Sequence, residues 1–268
     1  MARTSGSFVT NDEAASLLVL AHGIATRVGD TALAGRRRGL NNVETKSTAT
    51  DMVTEYDRAT EREIVATLRR LRPNDAIVGE EDGSHAGDSG YTWFIDPIDG
   101  TTNFLYDLPM WTVSIGVHDA HGAVCGVVYA PALRETFTAI RGGGAQLNGR
   151  PISCGSVSDL TQALVATGFN YSAANRVIQA RRFPQFIDKI RDVRRLGSAS
   201  LDLCFVACGR YDGYFEEHLF PWDFAAGSLI AVEAGARFEN ITTGDSPSSG
   251  VLAANPALFD QIRGLVFG

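Results

Sequence analysis

The alternation of apolar and polar positions divides the chain into a helical start, a β-rich middle and a second half in which strands and helices alternate. Residues 12–28 read as a helix. Residues 29–53 turn polar and rich in Gly, Thr and Ser, which predicts a long loop or a flexible hairpin, with Arg36-Arg37-Arg38 as a solvated basic patch. A second helix follows Thr54, with Ile64, Val65 and Leu68 on one face, and a short strand over 76–79 ends at Glu80-Glu81. Over 111–140 the pattern becomes β. Segments 112–117 and 123–130 flank a turn at 118–122, and Asn148-Gly149 makes a tight turn within 145–152. Strands at 164–168, 193–196, 211–215, 237–239 and 250–253 then alternate with helices at 175–191, 198–208, 223–234 and 256–266. Such alternation predicts a layered α/β fold in which helices cover sheets. No repeat and no Pro/Gly/Ser-rich linker cuts the chain, so 1–268 reads as a single domain of two tightly packed α/β halves, roughly 1–155 and 156–268.

The densest chemistry lies in residues 94–104, Phe-Ile-Asp-Pro-Ile-Asp-Gly-Thr-Thr-Asn-Phe. The apolar run Trp93-Phe94-Ile95 leads in like a buried strand, so Asp96 emerges at a strand end. Pro97 fixes its own φ and biases Asp96 toward extended backbone. Gly100 permits a sharp turn, and Thr101 and Thr102 start a helix. Two hard oxygen ligands then stand beside backbone N–H groups, a combination suited to a divalent cation and a phosphate. Two further acidic positions close apolar runs: Glu80-Glu81 after Ala-Ile-Val-Gly, and Asp223 after Phe220-Pro221-Trp222. Carboxylates at strand ends converge at one edge of an α/β sheet. Packed together they resist ionisation unless cations neutralise them. Oxygen-only ligation favours Mg²⁺ or Mn²⁺ over Zn²⁺.

Composition narrows the options. A net charge of −7 argues against nucleic acid as the main partner, and an anionic substrate requires cations to invert the local sign. No apolar stretch approaches the roughly 20 residues that span a bilayer, and residues 1–10 contain no apolar leader core, so a cytoplasmic protein without a membrane partner is expected. Cys125, Cys154, Cys204 and Cys208 form no Cys-x-x-Cys pair and read as buried apolar residues. Gly142-Gly143-Gly144 lacks the Lys-Ser/Thr of a phosphate loop and reads as a strand connector. Taken singly, Asp96/Asp99 is compatible with an acidic turn, Asp223 with a helix N-cap, Asp57 with a capping role beside Thr54, and Lys46 with a solvated loop.

Together, Gly79-Glu80-Glu81, Asp96-Pro97-Ile98-Asp99-Gly100-Thr101 and Trp222-Asp223-Phe224-Ala225-Ala226-Gly227 resemble, in order and spacing, the three motifs of the inositol monophosphatases. Lys46 through Asp57, Asn103, residues 195–199 and Glu216 extend the likeness, which looks nearest to the bacterial inositol-1-phosphatase branch. The resemblance implies an αβαβα sugar-phosphatase fold and Mg²⁺-dependent hydrolysis of a phosphate monoester. It implies that Glu80, Asp96 and the Ile98 carbonyl hold one Mg²⁺, and that Asp96, Asp99 and Asp223 hold a second. Glu80 and Thr101 would orient the attacking water, with Asp57 behind Thr101. The N–H groups of Gly100 and Thr101 would grip phosphate, while Glu216 and the backbone at Ala199 would meet substrate hydroxyls.

A small phosphorylated polyol, inositol 1-phosphate first, is the substrate the resemblance implies. Histidinol phosphate and fructose 1,6-bisphosphate are alternatives, since Glu216 suits hydroxyls or an amino group. A nucleotide bisphosphate ranks lower, for want of an adenine platform. The family also implies a homodimer, and some bacterial relatives act as partners of the transcription machinery, which is the non-enzymatic alternative.

Overall fold

The computed structural model describes residues 10–39, 43–46, 52–241 and 248–267. Helix α1 (Asn11–Arg38) is capped by Thr10, whose Oγ1 accepts from Glu13 N. It runs well past residue 28, which corrects the expected loop over 29–38. The glycines that suggested a loop are contact points inside the helix: a methyl at Gly29 would lie 2.8 Å from the Tyr129 ring, and one at Gly35 would strike Tyr56. Arg36 is likewise not a solvated patch residue, because its guanidinium donates to the carbonyls of Phe104 (2.6 Å) and Leu105 (3.1 Å). By length and composition α1 passes as a membrane-crossing segment, contrary to the sequence expectation. Its stripe Leu17, Ala21, Ile24, Val28 and Ala32 is nevertheless buried in the protein, as in a core helix. Strands β1 (Val43–Thr45) and β2 (Met52–Thr54) pair antiparallel, so the hairpin alternative holds there. Residues 40–42 and 47–51 of the expected loop lie outside the described residues.

Thr54 caps helix α2 (Glu55–Leu71) in a reciprocal capping box with Asp57. Then follow β3 (Ala76–Gly79), β4 (Ser84–His85), β5 (Thr92–Asp99), helix α3 (Thr101–Leu105), β6 (Thr112–Asp119), β7 (Gly122–Ala130), β8 (Glu135–Ile140), β9 (Gly144–Leu147) and β10 (Arg150–Ile152). Among the described residues these strands form one sheet in the order β10-β9-β8-β7-β6-β5-β3-β4. One face carries Trp93, Ile95, Val113, Ile115 and Val117 and packs on α1 and α2.

The second sheet contains β11 (Leu164–Thr167), β12 (Asp192–Arg194), β13 (Gly213–Leu219), β14 (Arg237–Ile241) and β15 (Ser249–Ala254), ordered β12-β11-β13-β15-β14. Helices α6 (Ala199–Ala207) and α7 (Pro221–Glu233) fill the space between the sheets, and α8 (Phe259–Val266) covers the far face. The layering is therefore αβαβα. The helix expected over 175–191 is broken into α4 (Ala173–Ala180) and α5 (Phe183–Phe186), because Pro184 sits in the first turn of α5 and cannot continue a helix from before it.

Helix α7 lies unusually close to the first sheet. A methyl at Gly116 of β6 would come within 2.9 Å of Ala225 Cβ, and one at Gly126 of β7 within 2.9 Å of Ala226 Cα. On the opposite side, Gly227 leaves room for Leu203 of α6. The small residues after Trp222-Asp223 are thus a packing device, and they hold the N-terminal half of α7 against β6 and β7. The Gly142–144 connector is tied to the other end of this helix, where the Glu233 carboxylate accepts from Gly142 N (2.8 Å) and Gly144 N (2.9 Å).

Candidate active site

Three separate chain segments deliver acids to one cleft of about 470 Å³. Strand β3 runs parallel to β5 with Gly79 opposite Ile95, so the next residues, Glu80 and Asp96, are neighbours. The β5 ladder shifts register between Asp96 and Asp99, and Gly100 turns the chain into α3 with φ of 90°, a left-handed conformation natural to glycine. Asp223 comes from the first turn of α7. It is not the N-cap: Phe220 occupies that place, and Asp223 Oδ2 accepts from Phe220 N at 2.7 Å. Glu80, Asp96, Ile98, Asp99, Gly100, Thr101, Ala199, Glu216 and Asp223 all line the cleft, together with Lys46. Asp57 is fully buried behind it.

Each side chain has identifiable restraints. Thr101 Oγ1 donates toward Asp57 Oδ1 (3.0 Å) and the Ile98 carbonyl (3.1 Å). The other Asp57 oxygen accepts from Thr54 N (2.8 Å) and Thr54 Oγ1, so capping and contact with Thr101 coexist. Asp99 accepts from Ser198 Oγ (2.7 Å), Ala199 N (3.1 Å), Ser200 N (2.7 Å) and Ser200 Oγ. The Ala199 N–H is thereby committed to Asp99. Glu216 lies on β13, and its Oε2 accepts from Tyr214 OH at 2.7 Å. Lys46 Nζ bonds Glu80 Oε1 (2.8 Å) and Glu81. Asn103 donates to the carbonyls of Met110 (2.6 Å) and Leu196 (2.8 Å), joining α3 to the segment before α6.

Burial, followed by repulsion from Glu80, Asp99 and Asp223, holds the Asp96 carboxyl well above the usual range. Asp223 is raised by burial and by Glu80. Burial also raises Asp99, against the hydrogen bonds of Ser200 and Ser198, and raises Glu80, against Lys46. Asp57 and Glu216 are each pushed up to about 7, chiefly by burial. Glu80, Glu216 and Asp223 keep part of their surface open to the cleft.

Among the described residues no three acidic, His or Cys side chains stand arranged as an ion-holding group. Glu80 is drawn to Lys46 and Asp99 to the turn before α6. The donor chemistry still fits Mg²⁺: four carboxyl groups and a carbonyl, all oxygen, in a cleft where the acids cannot ionise together without a cation.

Sequence reasoning missed Ser200 and Glu61, and it included Ser198 only within the matching stretch 195–199, without a role. Only the fold brings the two serines onto Asp99. Glu61 carried a signal: it falls on the buried stripe Asp57, Glu61, Ile64, Leu68 of α2.

The family model for the inositol monophosphatase family matches residues 13–266. Inositol-1-monophosphatase SuhB of Mycobacterium tuberculosis (strain H37Rv) is 44% identical over 231 residues, covering 82% of this chain and 79% of the relative. Nus factor SuhB of Escherichia coli K12 is 43% identical over 213 residues, covering 77% and 79%. The crystal structure of extragenic suppressor protein suhB from Bartonella henselae superposes with a TM-score of 0.87 at 31% identity, covering 94% of this chain and 98% of that one. Fold, cleft and sequence agree, and this chain belongs to the inositol monophosphatase family.

Proposed function

We propose that the protein hydrolyses inositol 1-phosphate to myo-inositol and phosphate in the presence of Mg²⁺. The observation that carries this reading is the convergence of Glu80, Asp96, Asp99 and Asp223 from three chain segments on one cleft with Thr101 and Glu216. Glu80, Asp96 and the Ile98 carbonyl would hold one Mg²⁺ (Mn²⁺ being a chemically similar substitute), and Asp96, Asp99 and Asp223 a second. Bound ions neutralise charge on the phosphoryl oxygens, lower the pKa of water and stabilise the leaving alkoxide.

The protein's own groups then have distinct tasks. Thr101, whose hydroxyl donates to Asp57, would accept a hydrogen bond from the attacking water and orient it together with the Glu80 carboxylate. Gly100 and Thr101 present backbone N–H groups to phosphate at the turn into α3. Glu216 accepts from ring hydroxyls at the far side of the cleft, and the backbone at Ala199 borders the same ring. We further read the chain as one unit of two packed halves, cytoplasmic and homodimeric as the family suggests.

Turnover of inositol 1-phosphate, histidinol phosphate and fructose 1,6-bisphosphate with and without Mg²⁺ tests the assignment. Strong cleavage of another ester beside negligible inositol-phosphate cleavage would overturn the substrate. The relative named Nus factor favours a second reading, a partner of the transcription machinery. Asp99→Asn separates the two: loss of cellular function together with turnover supports catalysis, and retained cellular function supports a partner role.

A further inference from the structure

The turn that carries Glu80 is built on a buried acid that the chemistry above does not use. Glu61 of α2 has 0% exposure. Its Oε2 accepts from Glu81 N (2.9 Å) and its Oε1 from Asp82 N (2.7 Å). Gly79 N donates to the Gly83 carbonyl at 3.0 Å and closes the turn around this carboxylate. A methyl at Gly79 would stand 2.3 Å from Glu61 Oε1 and 2.6 Å from its carboxyl carbon, so a bare glycine is what lets the acid reach beneath the turn.

A buried carboxylate is costly unless its oxygens are hydrogen-bonded, and backbone N–H groups are effective partners. Here those partners come from the two residues directly after Glu80. The residue directly before Glu80 is in contact with the same carboxylate. The backbone on both sides of Glu80 is thus referred to one rigid point on α2. From the cleft side, Lys46 engages the Glu80 and Glu81 side chains.

We propose that Glu61 is a positioning residue for Glu80, fixing the 79–82 backbone and with it the aim of the Glu80 carboxylate into the cleft. Gly79 is its necessary counterpart. This rests on the reading of Glu80 as a cation and water ligand. A displaced turn would carry Glu80 away from Asp96, its neighbour across the parallel β3–β5 pair. The rest of the cleft would be unaffected, because Asp99, Thr101 and Asp223 are anchored to other elements.

The test uses the full-length protein and its Glu61→Gln and Gly79→Ala variants. Readouts are the Mg²⁺ concentration for half-maximal turnover of inositol 1-phosphate, the KM for the ester, and Mn²⁺ affinity by calorimetry without substrate. Glu61→Gln keeps the volume but turns an amide NH₂ toward one of the two backbone donors. It is expected to raise the Mg²⁺ requirement and weaken Mn²⁺ binding about 10–100-fold, as loss of a ligand-orienting partner does, while KM stays within about two-fold. Gly79→Ala is expected to shift the same quantities in the same direction. In a Glu61→Ala background the obstruction is gone, so adding Gly79→Ala should cost nothing further. A folded Glu61→Gln with parental Mg²⁺ and Mn²⁺ dependence overturns the proposal. If that variant does not fold, a folded Gly79→Ala with parental dependence overturns it instead. A parent protein that neither binds Mn²⁺ nor cleaves a phosphate ester overturns the proposed function itself, and the role of Glu61 falls with it.

Discussion

Gly116→Ala is the sharpest probe of how the site is assembled, because it touches no candidate ligand. The added methyl would lie 2.9 Å from Ala225 Cβ and Ala226 N and 3.0 Å from Ala225 C. Ordinary carbon contacts need about 3.5 Å or more, so α7 must retreat from β6 by roughly 0.5 Å. Overpacking of this kind costs about 1–3 kcal/mol. Asp223 sits two residues before Ala225 on the same rigid helix, so it must move with it. A misplacement of about 1 Å can cost 10²-fold in rate, which scales to a loss of about ten-fold here. Urea unfolding and Mg²⁺-dependent turnover measure the two effects. Gly264→Ala on α8, where a methyl meets nothing within 4 Å, serves as the control and should be neutral or slightly stabilising. Gly116→Ala with parental urea midpoint and parental Mg²⁺ dependence would refute the view that close approach of α7 sets the position of Asp223.

Two other outcomes follow from the electrostatics. In the ion-free protein Asp57 and Glu216 retain protons up to about pH 7 that the unfolded chain releases near pH 4. The folded state therefore binds more protons across this window, so stability is greatest at its acid end and falls as pH rises toward 7. Thermal unfolding without added metal should show a midpoint falling by several degrees between pH 5 and 7.5, and saturating Mg²⁺ should flatten or reverse that slope. An ion-free midpoint that rises over this range would refute it. Asp202 on α6 is fully buried, and both carboxyl oxygens lack a hydrogen-bond partner among the described residues. Burial, then Glu216 and Asp99, hold its carboxyl well above the usual range. Unsatisfied buried polar groups cost about 1–3 kcal/mol, so Asp202→Leu should raise stability at pH 7.5. A marked loss in urea midpoint would contradict this.

Much of the architecture was readable before the fold was known, because its cues are local. The apolar run into Asp96-Pro97 marked β5 but not its end, since the strand continues past Asp96 through a register shift to Asp99, and alternation in the second half predicted the helix and strand order. The failures have physical causes. Gly29 and Gly35 suggested a loop, but a helix accepts glycine where an aromatic ring presses on it. Pro184 should have divided the helix over 175–191. The candidate site was legible as motifs, and the reason those motifs meet was not. Nothing local says that Gly116 faces Ala225 and Gly126 faces Ala226, that Ser198 and Ser200 clasp Asp99, or that Glu61 supports the turn behind Glu80. Each depends on contacts between segments far apart in the chain.

In the proposed function, buried acids from separate segments ionise together around divalent cations. Proton release on titrating Mn²⁺ into the metal-free protein near pH 6.5, followed by calorimetry in buffers of different ionisation enthalpy, tests it most directly. Because Asp96 and Asp223 are held well above the usual carboxyl range, ion binding should expel about one proton or more per protein, with both release and affinity much reduced in Asp96→Asn. Mn²⁺ binding without proton release, or binding unchanged in Asp96→Asn, would contradict the account.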